Sequence, residues 1–258
     1  FSFPNAADED GLFAFDATRV GPDRWEVNPG DEVIRFYEAK MFNHFDHRAA
    51  DVVTSGVGLF RQGQPVAISE EEHLDPLRLA LPRSWYPETE LGIERSGWNR
   101  RWLLAWRDTC RSTDARTMIP CVLPLVAGGR NNMPTLLCRN TAVAVASLAA
   151  CLSSYVLDYV ARTKIAGIHA SIVTVHQFPV VSTETFRQAV YPGGPSLSAF
   201  VLPRVLELSY TAWDLESFAV DLGCHGAPFK WDPARRECLR AELDAVFFHQ
   251  YDIGRDDL

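Results

Sequence analysis

The sequence predicts a mixed α/β fold, of the α+β kind, with short strands packed on a long central helix and a helical C-terminal part. The first observation is an apolar face with steps of 4, 3, 1 and 3 residues within positions 140–163, which is the repeat of an α-helix. The second is a pair of short apolar runs with strand composition, at 102–106 and 117–126. The third is Asp232 followed by Pro233, the N-cap and first-turn signals of a last helix. The residues of the central face are Leu148, Leu152, Tyr155, Val156 and Tyr159.

The N-terminal third alternates between loop signals and short apolar runs. Residues 1–32 are rich in Asp, Gly and Pro, which is typical of a linker with little regular structure. A strand or short helix at 33–41 leads into the polar segment 42–48, and apolar runs on either side of Gly63 predict a hairpin within 57–68. An acidic helix start follows at 69–72.

The C-terminal half contains the clearer elements. After the central helix, Gly167 ends the helical pattern and a β-branched run at 171–181 predicts a strand. Helices are predicted at 198–210 and 233–251, the latter with a buried stripe that includes Leu239 and Leu243. We therefore expect a linker at 1–32, an α/β domain at 33–197 and a helical segment at 198–258.

Composition restricts the class of protein. With 258 residues, 47% of them hydrophobic and 22% charged, the chain has the make-up of an ordinary globular protein with a substantial core. No apolar run reaches the roughly 18 residues that a membrane span needs, and six scattered Cys without a CxxC pair indicate reduced thiols, so we expect a cytoplasmic protein. The missing initiator Met and signal peptide suggest a piece of a longer chain.

A group of basic and amide side chains suggests contacts with nucleic acid. Arginine pairs with guanine edges and phosphates, asparagine with adenine edges, and glycine-rich backbone amides with phosphate oxygens. The same residues also fit a solvated polar hairpin and a capped helix end. The net charge of −8 argues against tight DNA binding by this chain alone, although local patches decide binding. The candidate DNA-contacting residues are Arg107, Arg111, Arg116, Arg130, Asn131, Asn132, Arg162, Lys164, Gly167 and His169.

Two shorter patterns suggest metal chemistry. Asp23, Glu38 and Lys40 follow the PD-(D/E)xK spacing, in which the carboxylates hold Mg²⁺ and the lysine polarises the attacking water. An ordinary surface Glu–Lys pair explains the same letters. His44 and His47 have a metal-like spacing, but no third ligand is evident, so hydrogen bonding and packing are the plainer interpretation.

Several blocks, in order, resemble the segment that follows the catalytic core in large Eco57I-like adenine-specific DNA methyltransferases of restriction and phage-defence systems. The family's Gly-Gly-Thr-His loop is matched here at Gly167 and His169, while Ala166 and Ile168 differ. The resemblance covers most of the chain from about Val33 onward. The blocks that carry it lie at 37–48, 102–117, 153–169, 177–180, 206–214 and 240–251.

The resemblance implies a target-recognition role without catalysis. The family's chemistry belongs to an upstream methyltransferase domain, which binds S-adenosylmethionine, so this chain is expected to hold no cofactor. The Asn-Pro-Pro-aromatic motif that grips the flipped adenine is missing, and the single Gly-x-Gly, at Gly56 and Gly58, fits a turn. The implied partners are double-stranded DNA, the upstream domain and, in a defence complex, further subunits. A Mg²⁺-dependent nuclease and a subunit-docking scaffold remain as alternatives.

Overall fold

The computed structural model describes residues 18–53, 63–91, 97–111, 113–128, 132–137, 140–254 and 256. The strands are β1 (Thr18–Arg19), β2 (Arg24–Asn28), β3 (Asp31–Tyr37), β4 (Ala50–Val53), β5 (Gln64–Ala67), β6 (Trp85–Pro87), β7 (Trp102–Trp106), β8 (Pro120–Pro124), β9 (Ala127–Gly128) and β10 (Thr135–Leu136). The helices are α1 (Glu70–His73), α2 (Ala142–Ser153), α3 (Tyr155–Lys164), α4 (Ile172–Val175), α5 (Thr183–Arg187), α6 (Leu197–Ser209), α7 (Glu216–Asp221) and α8 (Pro233–Gln250). Short 3-10 turns lie at Ala39–Met41, Glu88–Glu90 and Trp213–Leu215. The mixed α/β class is confirmed.

The first sheet has the order β1-β2-β3-β6, and β9 pairs with β3 in parallel. It includes part of the stretch that the sequence predicted to be a linker, so that prediction is wrong for the described residues 18–32. The Pro29-Gly30 pair forms the tight connection between β2 and β3, and Gly30 has the positive φ of 89° that a residue without Cβ tolerates. Trp25 and Trp85 pack edge to face across this sheet, 4.3 Å between ring centroids.

The second sheet has the order β10-β7-β8 and separates two apolar cores. All five residues of β7 are buried, as expected of a strand covered on both faces. Because side chains alternate along a strand, Trp102 and Leu104 enter the larger, helical core while Leu103 and Ala105 enter the smaller core beside β3. The remaining pair, β4 with β5, is antiparallel and places Gln64 opposite Val53.

The predicted central helix is broken at Ser154 into α2 and α3, whose axes differ by 65°. Ser154 has extended backbone angles, donates its hydroxyl to the Cys151 carbonyl and accepts the N–H of Leu157, so it closes one helix and caps the next. The expectation of one long helix is therefore wrong. The prediction of a single apolar face is wrong too, since Tyr155 and Tyr159 are 51% and 70% exposed.

Of the other predictions for the C-terminal half, two helices are confirmed and one strand is wrong. Helices α6 and α8 lie where the sequence placed them, and Asp232 caps α8 by accepting the N–H of Arg235. The strand expected at 171–181 is wrong, because Ser171 caps the one-turn helix α4 instead. The β5 strand falls in the predicted hairpin region, but the partner run at 54–62 lies outside the described residues.

Helices α2, α6 and α8 share one apolar core, so the expected boundary near residue 197 does not separate two cores. Representative members of this core are Val145, Ala149, Val201, Val205, Leu243 and Phe247. In the described part of the chain no single helix has the length and hydropathy of a membrane span. Only the bent pair α2–α3 passes that test jointly, and nine of the twelve residues of α2 are buried in the protein.

Candidate nucleic-acid interface

The connection from β7 to β8, residues 107–119 and here called the β7–β8 loop, brings together segments that are distant in sequence. At its start, Asp108 donates its N–H to the Asn132 carbonyl over 3.2 Å and accepts the N–H of Ala170 over 2.7 Å. Cys110 donates to the carbonyl of Ile168 over 2.9 Å. The 132 segment, the 166–169 segment and the β7–β8 loop are therefore joined by backbone hydrogen bonds at one end of β7.

Four of the predicted contact residues meet there: Arg111, Asn132, Gly167 and His169, together called the recognition edge. All four are exposed. The Nδ1 atom of His169 lies 2.5 Å from Asp108 Oδ2, and this bond orients an imidazole that is 61% exposed. A Cβ placed on Gly167 would contact nothing within 4 Å, so the backbone is open to approach there.

The two candidates at the end of α3, Arg162 and Lys164, differ in whether their side chains have partners. Arg162 Nε lies 2.9 Å from Asp158 Oδ2, and its Nη2 donates to the carbonyls of Asp114 and Ala115. Asp158 also accepts the backbone N–H groups of Thr117 and Met118 in the loop, over 2.6 and 2.8 Å. Arg162 and Asp158 thus hold the β7–β8 loop on α3. Lys164, in contrast, is exposed and has no hydrogen bond or ion pair within the described ranges.

Arg107 and Arg116 face a cleft of about 750 Å³ on another side of the same loop. Arg107 Nε donates to the Phe42 carbonyl over 2.8 Å. Arg116 donates to the Ser153 carbonyl over 3.1 Å and to Asp244 over 3.0 Å, and its guanidinium lies 3.5 Å from the Tyr155 ring centroid. We call this space the α8 cleft. It is bordered by Arg107, Arg116, Tyr155, Trp231, Arg236 and Arg240.

Helix α8 lines the cleft with two arginines and two acidic residues, and the two arginines differ in their partners. Arg236 donates to the carbonyls of Leu208 and Phe45 and stacks on Trp231, 3.7 Å from its centroid; burial lowers the pKa of this guanidinium to about 10. Arg240 has no hydrogen bond or ion pair with any described residue. His44, also at the cleft, is neutral because burial, followed by the charge of Arg116, lowers its pKa to about 3.

Sequence reasoning named His47 but missed the buried polar network around it, which joins the segment 35–48 to Asp214. Asp214 lies 2.7 Å from Arg35 and 2.8 Å from His47, all almost fully buried. Burial alone would raise the pKa of Asp214, but the two partners outweigh it and the pKa is lowered. Arg48 donates to four backbone carbonyls, those of His73, Asp75, Arg78 and Thr211. The local signal was the run of three charged or ionisable residues at 46–48.

The metal-like patterns do not converge. Asp23 pairs with Arg101 at 3.0 Å, whereas Glu38 lies 3.1 Å from Lys40 and 2.8 Å from Arg83. The two histidines also have different partners, since His44 bonds the Ser153 carbonyl and His47 bonds Asp214. Across the residues with assigned positions, no group of three or more His, Cys, Asp or Glu side chains is arranged to hold a metal ion.

Arg130 and Asn131 lie outside the described residues, as do Gly56 and Gly58 of the Gly-x-Gly pair. The site is therefore built from Asn132, which follows them, and from the β7–β8 loop and the 166–169 segment. No protein-family model, curated protein or solved structure matches this chain.

Proposed function

We propose that this chain is the DNA target-recognition portion of an adenine-N6 DNA methyltransferase from a restriction or phage-defence system. Catalysis and S-adenosylmethionine binding belong to an upstream domain of the same enzyme. The observation that carries the proposal is the recognition edge, where three segments distant in sequence present Arg111, Asn132 and His169 side by side. Side chains of these types read base edges in the major groove.

The backbone of the recognition edge is held in place, as contact with DNA bases requires. Exposed side chains on a loop discriminate bases only if their backbone is fixed, and here backbone hydrogen bonds tie the loop to both neighbouring segments. The Asp108 carboxylate fixes the ring of His169. The free backbone at Gly167 permits close approach of a phosphate oxygen.

The packing divides the predicted contact residues into two roles. Arg107, Arg116 and Arg162 hold the β7–β8 loop through carbonyls and carboxylates, so we assign them to positioning. Arg111 and Lys164 are exposed cations without a described partner, so we assign them to base reading and phosphate binding respectively.

The test is binding of fluorescent duplex DNA from a randomised pool, measured at several salt concentrations with this chain. Lys164→Ala should weaken binding to all sequences alike and reduce the salt slope by about one, whereas Arg111→Ala should cost about 1–3 kcal/mol at one base-pair position and relax the preference there. Arg187→Ala, an exposed cation on α5, is the matched control and should change neither. Equal effects of Arg187→Ala and Arg111→Ala would contradict the proposal.

The alternative that one observation favours is a scaffold that docks other subunits of a defence complex. The chain carries a net charge of −8, and Ile168, Ile172 and Val173 beside the recognition edge are 54%, 48% and 71% exposed. A duplex-binding signal that is absent at low salt, or that does not respond to salt, would favour the scaffold over the recognition role.

A further inference from the structure

The α8 cleft contains an aromatic platform that the proposed function does not use. Tyr155, the first residue of α3, is 51% exposed, and Arg116 covers one ring face with its guanidinium 3.5 Å from the centroid. No other ring or cation in the described structure contacts Tyr155, and its hydroxyl has no hydrogen-bond partner there. The second ring face is thus available to a flat ligand entering a cleft of about 750 Å³, within the size range of small-ligand sites.

The same cleft holds positive charge that no carboxylate neutralises directly. Arg107 and Arg236 donate to backbone carbonyls alone, and Arg240 has no described partner. Keeping guanidinium groups partly out of water without a counter-charge is unfavourable, and burial accordingly lowers the pKa of Arg107 and Arg236. An anion bound between these groups would relieve that cost.

The acidic residues of the cleft fall into two pairs. Asp46 and Asp244 are engaged, the first by His73 and the N–H of Arg48, the second by Arg116 and the N–H of Tyr155. Asp114 and Glu237 are exposed and make no described side-chain hydrogen bond. Free carboxylates accept hydrogen bonds from amino groups, so the cleft offers acceptors as well as cations.

We propose that the α8 cleft binds a nucleotide whose base carries an amino group. The base stacks on the free face of Tyr155, the phosphate contacts Arg240 and the open edge of Arg107, and Asp114 or Glu237 accepts from the amino group. A ligand with a flat ring, a negative charge and an amino group satisfies every unused feature of the cleft. This inference goes beyond the proposed function and does not require it, because the recognition edge and the cleft use different side chains.

The test is calorimetric titration of the 258-residue chain with deoxyadenosine monophosphate, using deoxyadenosine, inorganic phosphate and thymidine monophosphate as comparison probes. Deoxyadenosine monophosphate should bind in the micromolar to millimolar range and more tightly than each of the other three. Tyr155→Ala should weaken binding at least about 5-fold, and Tyr155→Phe should preserve it, because stacking requires the ring and not the hydroxyl. Arg240→Ala should weaken binding about 10-fold.

Two matched variants distinguish the site from general damage. Tyr159→Ala removes a more exposed tyrosine of the same helix that does not border the cleft, and Arg187→Ala removes an exposed cation elsewhere. Both should bind like the wild type, and all variants should keep its urea midpoint. The proposal is overturned by an absence of binding, by equal loss in Tyr159→Ala and Tyr155→Ala, or by inorganic phosphate binding as tightly as the nucleotide.

The nucleotide can be free or part of DNA, and a third titration separates these sources. A duplex with one unpaired adenine and its fully paired counterpart compete against deoxyadenosine monophosphate. Competition by the bulged duplex alone, lost in Tyr155→Ala, identifies an extrahelical nucleotide of DNA as the ligand. Competition by neither duplex identifies a free nucleotide, and equal competition by both overturns the stacking mode. Failure of the proposed function is seen in a different experiment. In that case Arg111→Ala and Lys164→Ala bind fully paired DNA like the wild type.

Discussion

Replacing Arg48 with lysine tests whether the buried network holds the fold together. The Arg48 side chain is fully buried, and each terminal nitrogen donates to two carbonyls: Nη1 to Asp75 and Arg78, and Nη2 to His73 and Thr211, over 2.7 to 2.9 Å. A lysine keeps the charge but places its three donors on a single nitrogen, which cannot span four carbonyls arranged around a planar fork.

The magnitude follows from the bonds that are lost. If lysine retains two of the four contacts, two buried carbonyls lose a charged donor at about 1.5–3 kcal/mol each, so Arg48→Lys should lower the free energy of unfolding by about 3–6 kcal/mol. This is a large fraction of the roughly 5–15 kcal/mol that stabilises a typical protein. Because Thr211 is 163 residues away in the chain, the loss would loosen the contact between the segment before β4 and the residues that follow α6.

The assay is equilibrium urea denaturation followed by far-ultraviolet circular dichroism and tryptophan fluorescence. Arg204→Lys is the matched control, since Arg204 bonds Glu242 and the Phe200 carbonyl at the surface of α6, with 22% of its side chain exposed. Surface ion pairs contribute about 0–1 kcal/mol, so the control should remain close to the wild type. Arg48→Lys within about 1 kcal/mol of the wild type would refute the assigned role of the four bonds.

Two further changes have defined outcomes. Asp214→Asn should lower stability at neutral pH by about 3–5 kcal/mol, because it leaves the buried Arg35 without its counter-charge and removes the carboxylate that bonds His47. The pKa of Asp214 is lowered from 3.8 in the folded state, so its contribution to stability is present above pH 3.8 and is lost as the pH falls below that value. The free energy of unfolding should therefore depend less on pH in the acid range in the variant than in the wild type. An unchanged pH profile would contradict this. Ser154→Ala should cost about 0.5–2 kcal/mol in urea by removing the cap of α3, while Thr163→Ala, at an exposed site of that helix, should cost less than about 0.5 kcal/mol; equal losses would count against the cap.

The elements that the sequence predicts correctly are those with local signals. Helix α8 begins at Asp232 and Pro233 because both residues act within one turn, and β7 is recognisable because five consecutive apolar residues fit a strand covered on both faces. The break at Ser154 has a local signal in the serine cap, but a tertiary contact also holds it. The N–H of Tyr155 bonds the carboxylate of Asp244 over 2.7 Å, and that partner lies 89 residues further along the chain.

The candidate site shows the same limit. Residue type and loop context predict Arg111, Asn132 and His169 as contact residues, since polar residues near Gly are typical of a binding loop. The same criteria selected Arg116 and Arg162, which the structure assigns to holding the loop. Arg116 bonds Asp244 across 128 residues, and only the folded arrangement shows that its charge is already engaged.

The proposed function requires DNA contact by a chain whose net charge is −8. Arg48, Arg107 and Arg236 donate to backbone carbonyls and carry no carboxylate partner in direct contact, so these cations hold the fold together. Counterion release from DNA requires exposed cations, and the recognition edge with the nearby end of α3 offers Arg111 and Lys164. Two such contacts supply discrimination and little affinity. On the proposed function, most of the phosphate contacts then belong to the upstream domain, and this chain selects the sequence once the enzyme is on DNA.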